Sequence, residues 1–144
     1  MEYRTIKQDD LETLVHLANR FASFDSDVDD AFFYPTESFP QGCLIAEDDG
    51  HIVGFIFSYL REIPSTVLTR WNANKVAQIE LLAVAASHRN QGIGAALLER
   101  LLSNLKNEGV DYILLHCPIE AKEAKHLYDK AGFEVRAYAM RKRI

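Results

Sequence analysis

Arg89-Asn90-Gln91-Gly92-Ile93-Gly94-Ala95 separates two segments of different periodicity. Before it, Ile79-Glu80-Leu81-Leu82-Ala83-Val84 is short, apolar and partly β-branched, a pattern that suits a buried strand. After it, Ile93, Leu97, Leu98, Leu101, Leu102 and Leu105 recur at three- and four-residue steps, which makes one helical face. The turn between them is built for an anion. The first amide N–H groups of a helix have no internal partner and lie at the positive end of its dipole. Gly92 and Gly94 have no Cβ, so the main chain can approach a bulky diphosphate closely.

Spacing separates the phosphate-binding loops that could be meant. A Walker loop needs a Gly-Lys-Ser/Thr ending, and none occurs. A dinucleotide fingerprint needs a third glycine where Leu97 stands, and an acidic residue closing the next strand. Asp111 is at about the right distance but opens the run Tyr112-Ile113-Leu114-Leu115-His116.

The remaining pattern, Arg-x-x-Gly-x-Gly directly after a strand, resembles the GNAT family of acyl-CoA-dependent N-acetyltransferases. Leu82 to Gly94 resembles the family's strand-loop-helix coenzyme motif, and Ala124-Lys125-His126-Leu127-Tyr128-Asp129-Lys130-Ala131-Gly132-Phe133 resembles its second signature, at the family's interval. Two positions depart from the pattern. Ala86 replaces a common proline, and Ala121 replaces an asparagine that often contacts the coenzyme. The resemblance implies a single-domain three-layer α/β/α mixed sheet with a central splayed parallel strand pair. It also implies direct acetyl transfer from acetyl-CoA to an amine within a ternary complex.

Carried over residue by residue, Leu82, Ala83 and Val84 would give backbone groups to the pantetheine and thioester. The amides of Arg89, Asn90, Gln91, Gly92, Ile93, Gly94 and Ala95 would bind the pyrophosphate. Tyr128 would protonate the leaving sulfur, and Glu80 stands where many relatives keep a carboxylate base. Each role has a plainer rival. The glycines could only cap a helix, and Arg89 could only shape the turn. Tyr128 lies on the apolar stripe Ala121, Ala124, Leu127, Tyr128 and Ala131. Glu80 shares strand parity with Leu82 and Val84, so its side chain is expected on their face of the sheet, where a salt bridge to Lys75 or Arg70 is the alternative.

The chain of 144 residues is expected to form one domain over residues 1–144. A net charge of -5 argues against a nucleic-acid partner, and Arg141-Lys142-Arg143 reads as a solvated strand terminus. Cys43 and Cys117 sit in apolar runs without Cys-x-x-Cys spacing, as reduced core thiols do. His16, His51, His88, His116 and His126 lack ligand-like spacing, so no metal is expected. With neither a leader nor an apolar run of membrane length, the expectation is a cytoplasmic protein with no membrane partner.

Outward from the turn, residues 2 to 6 read as a first strand and Asp9 or Asp10 as the cap of a helix bearing Leu11, Leu14, Val15, Ala18 and Phe21. Ala22 to Gln41 is acidic and aromatic and is broken by Pro35 and Pro40. Cys43 to Glu47 and His51 to Leu60 flank the turn Asp48-Asp49-Gly50, with Gly54 marking a bulge. Arg61 to Asn74 reads as a loop or hairpin extension, with a helical turn at Ser65 to Trp71 as the alternative. Val76 to Val84 is a strand, Tyr112 to Cys117 another, Glu120 to Ala131 a helix, and Phe133 to Arg143 a last apolar strand whose edge could pair in a homodimer.

In the resembling family the acceptor pocket is walled by the segment after the first helix and by loops near the middle strands, here parts of Ala22 to Gln41 and the region of Trp71. Aspartates among aromatics would suit a cationic amine, although a solvated loop packing its phenylalanines on the core is the plainer reading. The expected acceptor is a small-molecule or peptide amine, with a small amine, a peptide N-terminus and a protein lysine all open. A non-catalytic GNAT-shaped module that binds coenzyme A or a partner is the alternative function. A nucleotide-binding protein, stabilised more by ATP or NAD than by coenzyme A, is a third.

Overall fold

Asp49 and Gly50 both take positive φ, 51° and 78°, and turn β2 (Cys43–Asp48) into β3 (His51–Arg61). This is the hairpin that Asp-Gly predicts. The computed structural model describes residues 1–21 and 27–144. Among these, β1 (Glu2–Thr5), β4 (Val76–Val84) and β5 (Tyr112–Leu115) complete a five-stranded sheet in sequence order, antiparallel except for the parallel pair β4–β5. Four α-helices join the strands: α1 (Leu11–Phe21), α2 (Ser65–Trp71), α3 (Ile93–Asn107) and α4 (Lys122–Lys130).

Strand alternation divides the core into two layers. Cys43, Ile45, Phe55 and Phe57 point to α1, where they meet Leu14, Leu17 and Ala18. Leu44, Ala46, Ile56, Ala77 and Ile79 point the other way, onto Leu97, Leu98, Leu101 and Leu105 of α3 and onto Tyr128 of α4. The result is the α/β/α arrangement that the sequence implies, but among the described residues the parallel pair β4–β5 lies at one edge of the sheet and not at its centre, because no further strand pairs with β5.

Gly54 does mark an irregularity. Ala46 pairs with Gly54 but Glu47 pairs with Ile52, so Val53 is the extra residue. A Cβ at Gly54 would lie 3.0 Å from the Ala83 carbonyl oxygen, which shows how closely β3 approaches β4 there.

Asp10 does more than the helix-capping role expected of it. Its carboxylate accepts the Lys7 main-chain N–H at 2.7 Å and both Arg4 guanidinium nitrogens, at 2.7 and 2.9 Å. Arg4 also binds Glu47 across β1 and β2. The Arg4 side chain, by its hydrogen bonds above all, holds the Asp10 carboxyl below its ordinary range. A carboxylate depressed in this way adds stability that is complete above about pH 4 and is lost as pH falls through the lower folded value. Asp10→Asn should therefore cost roughly 1–3 kcal/mol at pH 7, the penalty for taking from a part-buried arginine one of the two carboxylates that bind it. Urea titrations should show the difference from wild type shrinking in acid. An equal difference at pH 7 and pH 2.5 would contradict this account.

Three local expectations change. Ser65–Trp71 is a helix, closed by Asn72 at φ 51°, so the helical alternative holds for that stretch. In the acidic and aromatic segment, Asp30–Glu37 forms a 3₁₀ helix that lays Phe32 and Phe33 against Phe57 and Phe33 against Phe55. Asp27, Asp29 and Asp30 are exposed, as in the plainer reading of that loop. The part of the segment at residues 22–26, with Asp25, lies outside the described residues.

The third change is larger. Phe133 to Arg143 is not a strand: residues 133–144 carry no regular secondary structure, and Val135, Tyr138 and Met140 are 60%, 87% and 92% exposed. An alternating pattern only offers a face, and a strand also needs a neighbouring main chain to bond to. This segment is held instead by the Phe133 N–H on the Tyr128 carbonyl at 3.0 Å and by side chains, Phe133 edge-on to Tyr128 at 5.5 Å and the Arg136 guanidinium 5.1 Å over Trp71. Trp71 in turn stacks on Tyr112 at 5.0 Å.

Candidate active site

The parallel pairing of β4 with β5 runs only from Val76–Tyr112 to Ile79–Leu115. β5 then ends, while β4 continues to Val84. The two chains separate there, and a cavity of about 630 Å³ occupies the opening. Its walls are Leu81, Leu82 and Val84 on one side and His116, Cys117 and Pro118 on the other, with the turn at residues 88–95 and Tyr128 closing it.

Glycine sets the shape of that turn. Asn90 and Gly92 have φ 61° and 78°, and α3 starts at Ile93 with Gly92 as its cap. The first helical bond runs from Ala96 N–H to the Gly92 carbonyl. Among the described residues, the main-chain N–H groups of Asn90, Gln91, Gly92, Ile93, Gly94 and Ala95 have no acceptor within the protein. Successive unpaired donors at a positive helix end form an anion cradle. A Cβ on Gly92 would point into open space, so glycine is required there by backbone conformation and not by packing. Gly94 acts differently: a Cβ there would sit 3.5 Å from Leu127 and 3.7 Å from Leu82, inside the packing of α3 on β4 and α4.

The Arg89 side chain turns back. Its Nε donates to the Val84 carbonyl at 3.2 Å and its guanidinium lies 5.7 Å from the centre of the Phe21 ring, so it ties the turn to the end of β4. His88 joins the same turn to the β2–β3 hairpin through Asp48 at 2.9 Å, and Ser87 lies 2.7 Å from its other ring nitrogen.

Tyr128 is 7% exposed, packs on Phe133 and reaches the cavity. Burial, with Cys117 as the second cause, pushes its phenol well above the ordinary tyrosine value. It is thus both a core residue and a protonated donor at the cavity wall. Cys117, expected as a core thiol, is only half-buried and lines the same wall.

Glu80 also lines the cavity, but its expected face is wrong. Ser58 pairs with Ile79 and Phe57 with Leu81, which leaves Glu80 as an extra residue in a bulge. Parity reverses across it. Ile79 and Leu82 pack on the α3 side, while the Glu80 carboxylate accepts a hydrogen bond from Gln78 at 3.2 Å and lies near enough to Tyr59 to help raise its phenol, behind burial as the main cause. Lys75, a suggested salt-bridge partner, lies with Glu108 instead.

Neither suggested acceptor wall borders the cavity among the described residues: Phe21, just before the segment Ala22 to Gln41, does so, and Trp71 sits at the opposite end of the parallel pair. Sequence reasoning missed Gln78 and His116. In the sequence Gln78 is the one amide of a strand that also holds Glu80, and His116 is the polar residue that follows β5, but neither belongs to a motif that marks it out.

The Acetyltransferase (GNAT) family model matches residues 9–133, which takes in every element of this site. The chain belongs to that family. It is 36% identical over 81 residues to an L-2,4-diaminobutyric acid acetyltransferase of Nocardia farcinica, a match covering 56% of this chain and 37% of that protein. Matches to the curated relatives cover well under two thirds of their length, 27% and 37% for two of them. Among solved structures, the NatC complex bound to Gag peptide and CoA gives a TM-score of 0.81 at 20% identity, over 94% of this chain and 86% of that one. A diaminobutyrate acetyltransferase of Paenibacillus lautus, in complex with L-2,4-diaminobutyric acid and coenzyme A, gives 0.72 at 26% identity, over 90% and 73%. At 20% identity the first likeness speaks for the fold. No helix among the described residues is long and apolar enough to cross a membrane.

Proposed function

We propose that residues 1–144 act as one N-acetyltransferase unit that moves an acetyl group from acetyl-CoA directly to an amine within a ternary complex. The observation that carries this reading is the set of unpartnered main-chain donors at residues 90–95, at the mouth of the opening between β4 and β5. A diphosphate fits that cradle through its charge, and an extended thiol-bearing arm fits the apolar walls of Leu82, Val84 and Leu127. Acetyl-CoA supplies an activated acyl carbon. The chain's own groups do the rest. Leu82 and Val84 border the opening, on either side of Ala83, which pairs with Phe55 of β3, and their main chain offers donors for the charge that develops on the thioester oxygen. Glu80 takes the proton that an ammonium must lose before it can attack. Tyr128 returns a proton to the departing sulfur.

The acceptor is a small-molecule or peptide amine, a class that includes the substrate in the diaminobutyrate relative's name and the peptide in the NatC title. Neither a metal nor a nucleic-acid partner enters the scheme, and a cytoplasmic location suits its coenzyme. Titration calorimetry with acetyl-CoA should show saturable binding. Gly92→Val should weaken it at least tenfold, because a β-branched residue is strained at φ 78° and its side chain projects where phosphate must lie. Thiol release should then respond to at least one of L-2,4-diaminobutyrate, spermidine, an aminoglycoside and a short peptide with a free N-terminus. Absent binding would overturn the proposal, and binding with silence across all four amines would leave only a coenzyme-binding module.

A further inference from the structure

Gln78 is 7% exposed and sits in β4 opposite Tyr59 of β3. Its amide is spanned by two charges. Arg61 Nη1 donates to its Oε1 at 3.0 Å, and its Nε2 donates to Glu80 Oε2 at 3.2 Å. Neither end can be reversed: a guanidinium only donates and an ionised carboxylate only accepts. The amide therefore has a single orientation, with its oxygen to the cation and its N–H to the anion. Burial makes that orientation costly to abandon, since a flipped amide would leave polar atoms unpaired.

Glu80 needs such a support. As the extra residue of the bulge it has no register partner on β3, so the strand ladder does not fix where its side chain points. A carboxylate that must reach an amine on the cavity side has to be held by something else. We propose that Gln78, oriented by Arg61, is the positioning residue that anchors one oxygen of Glu80 and keeps the carboxylate at the cavity wall. This rests on the reading of Glu80 as the base. Arg61 is exposed at the end of β3, so the relay runs from a solvated cation through a buried amide to the cavity.

The test uses the full chain, saturating acetyl-CoA and whichever of the four amines gives the fastest thiol release. Gln78→Met keeps the bulk and removes both hydrogen bonds. Its kcat should fall roughly tenfold, while the acceptor KM and acetyl-CoA affinity stay within about twofold. Placed on Glu80→Gln, the same change should have no further effect on kcat, because the group it positions is already gone. A purely structural role would instead multiply with Glu80→Gln, or raise KM, and either result overturns the inference. Should Gln78→Met unfold, Arg61→Met leaves the buried amide in place, and a kcat fall of about threefold is expected; unchanged kcat there also overturns it. If Glu80→Gln alone leaves kcat unaltered, the base assignment has failed. If it slows turnover while Gln78→Met does not, only the positioning role has failed.

Discussion

Tyr128→Phe is expected to lower kcat by a hundredfold or more while leaving acetyl-CoA affinity and the melting temperature nearly unchanged. Phenylalanine fills the same space against Phe133 and the α3 layer, so the packing role of the ring survives the change. Only the hydroxyl is lost. That group is a proton donor at the cavity wall, and burial raises its titration well above the ordinary value. The sign matters: the protonated phenol is the active form, and a raised value keeps it protonated. Activity due to this group should therefore persist through pH 9 to about pH 10, beyond which an unshifted tyrosine would ionise. General acid catalysis contributes factors of about 10² to 10⁴, which sets the size of the effect. Steady-state rates of wild type and variant between pH 7 and pH 10 would test both parts. A twofold change or less would make Tyr128 a packing residue that happens to touch the cavity.

What the sequence makes legible here is local. The strand at Val76–Val84, the glycine-capped start of the helix at Ile93 and the Asp-Gly hairpin all follow from periodicity and backbone conformation within a few residues, and all appear where expected. Asp111 is informative in the same way. It opens β5 and accepts the main-chain N–H groups of Asn74 and Lys75 at 3.0 Å each, pinning the starts of the parallel strands together, a structural duty in keeping with the rejected dinucleotide reading.

The failures share a different cause. The parity argument for Glu80 assumed an unbroken strand, and a single bulge inverted it; register depends on what the partner strand does. Phe133 to Arg143 alternates well enough to be a strand, yet its Phe133 N–H bonds back to the Tyr128 carbonyl at the end of α4, and Phe133 and Arg136 meet side chains of Tyr128 and Trp71, so pattern without a partner strand gave no ladder. α2 is only seven residues long, too short for periodicity to announce, and takes its definition from the left-handed cap at Asn72 and the stacking of Trp71 on Tyr112. Gln78 and His116 entered the site through tertiary placement alone.

Glu80→Gln should lower kcat about a hundredfold at pH 7, and the pH dependence that remains should identify why. Glutamine is close in size, and its amide can still meet Gln78, so the bulge and the coenzyme cavity should persist. What disappears is the capacity to accept a proton from the acceptor ammonium. Without a base the reaction must wait for the small fraction of amine that solution has already deprotonated. The variant's rate should then climb about tenfold per pH unit while pH stays below the amine's own value, about 10 for a lysine-like acceptor. A carboxylate that merely attracts the cation would behave differently, since its loss would raise the acceptor KM and leave kcat nearly constant. His116, on the facing wall of the same cavity, gives a third outcome. If Glu80→Gln retains both kcat and its pH dependence while His116→Ala loses them, the proton leaves through the residue that follows β5, and the base has been assigned to the wrong side of the opening.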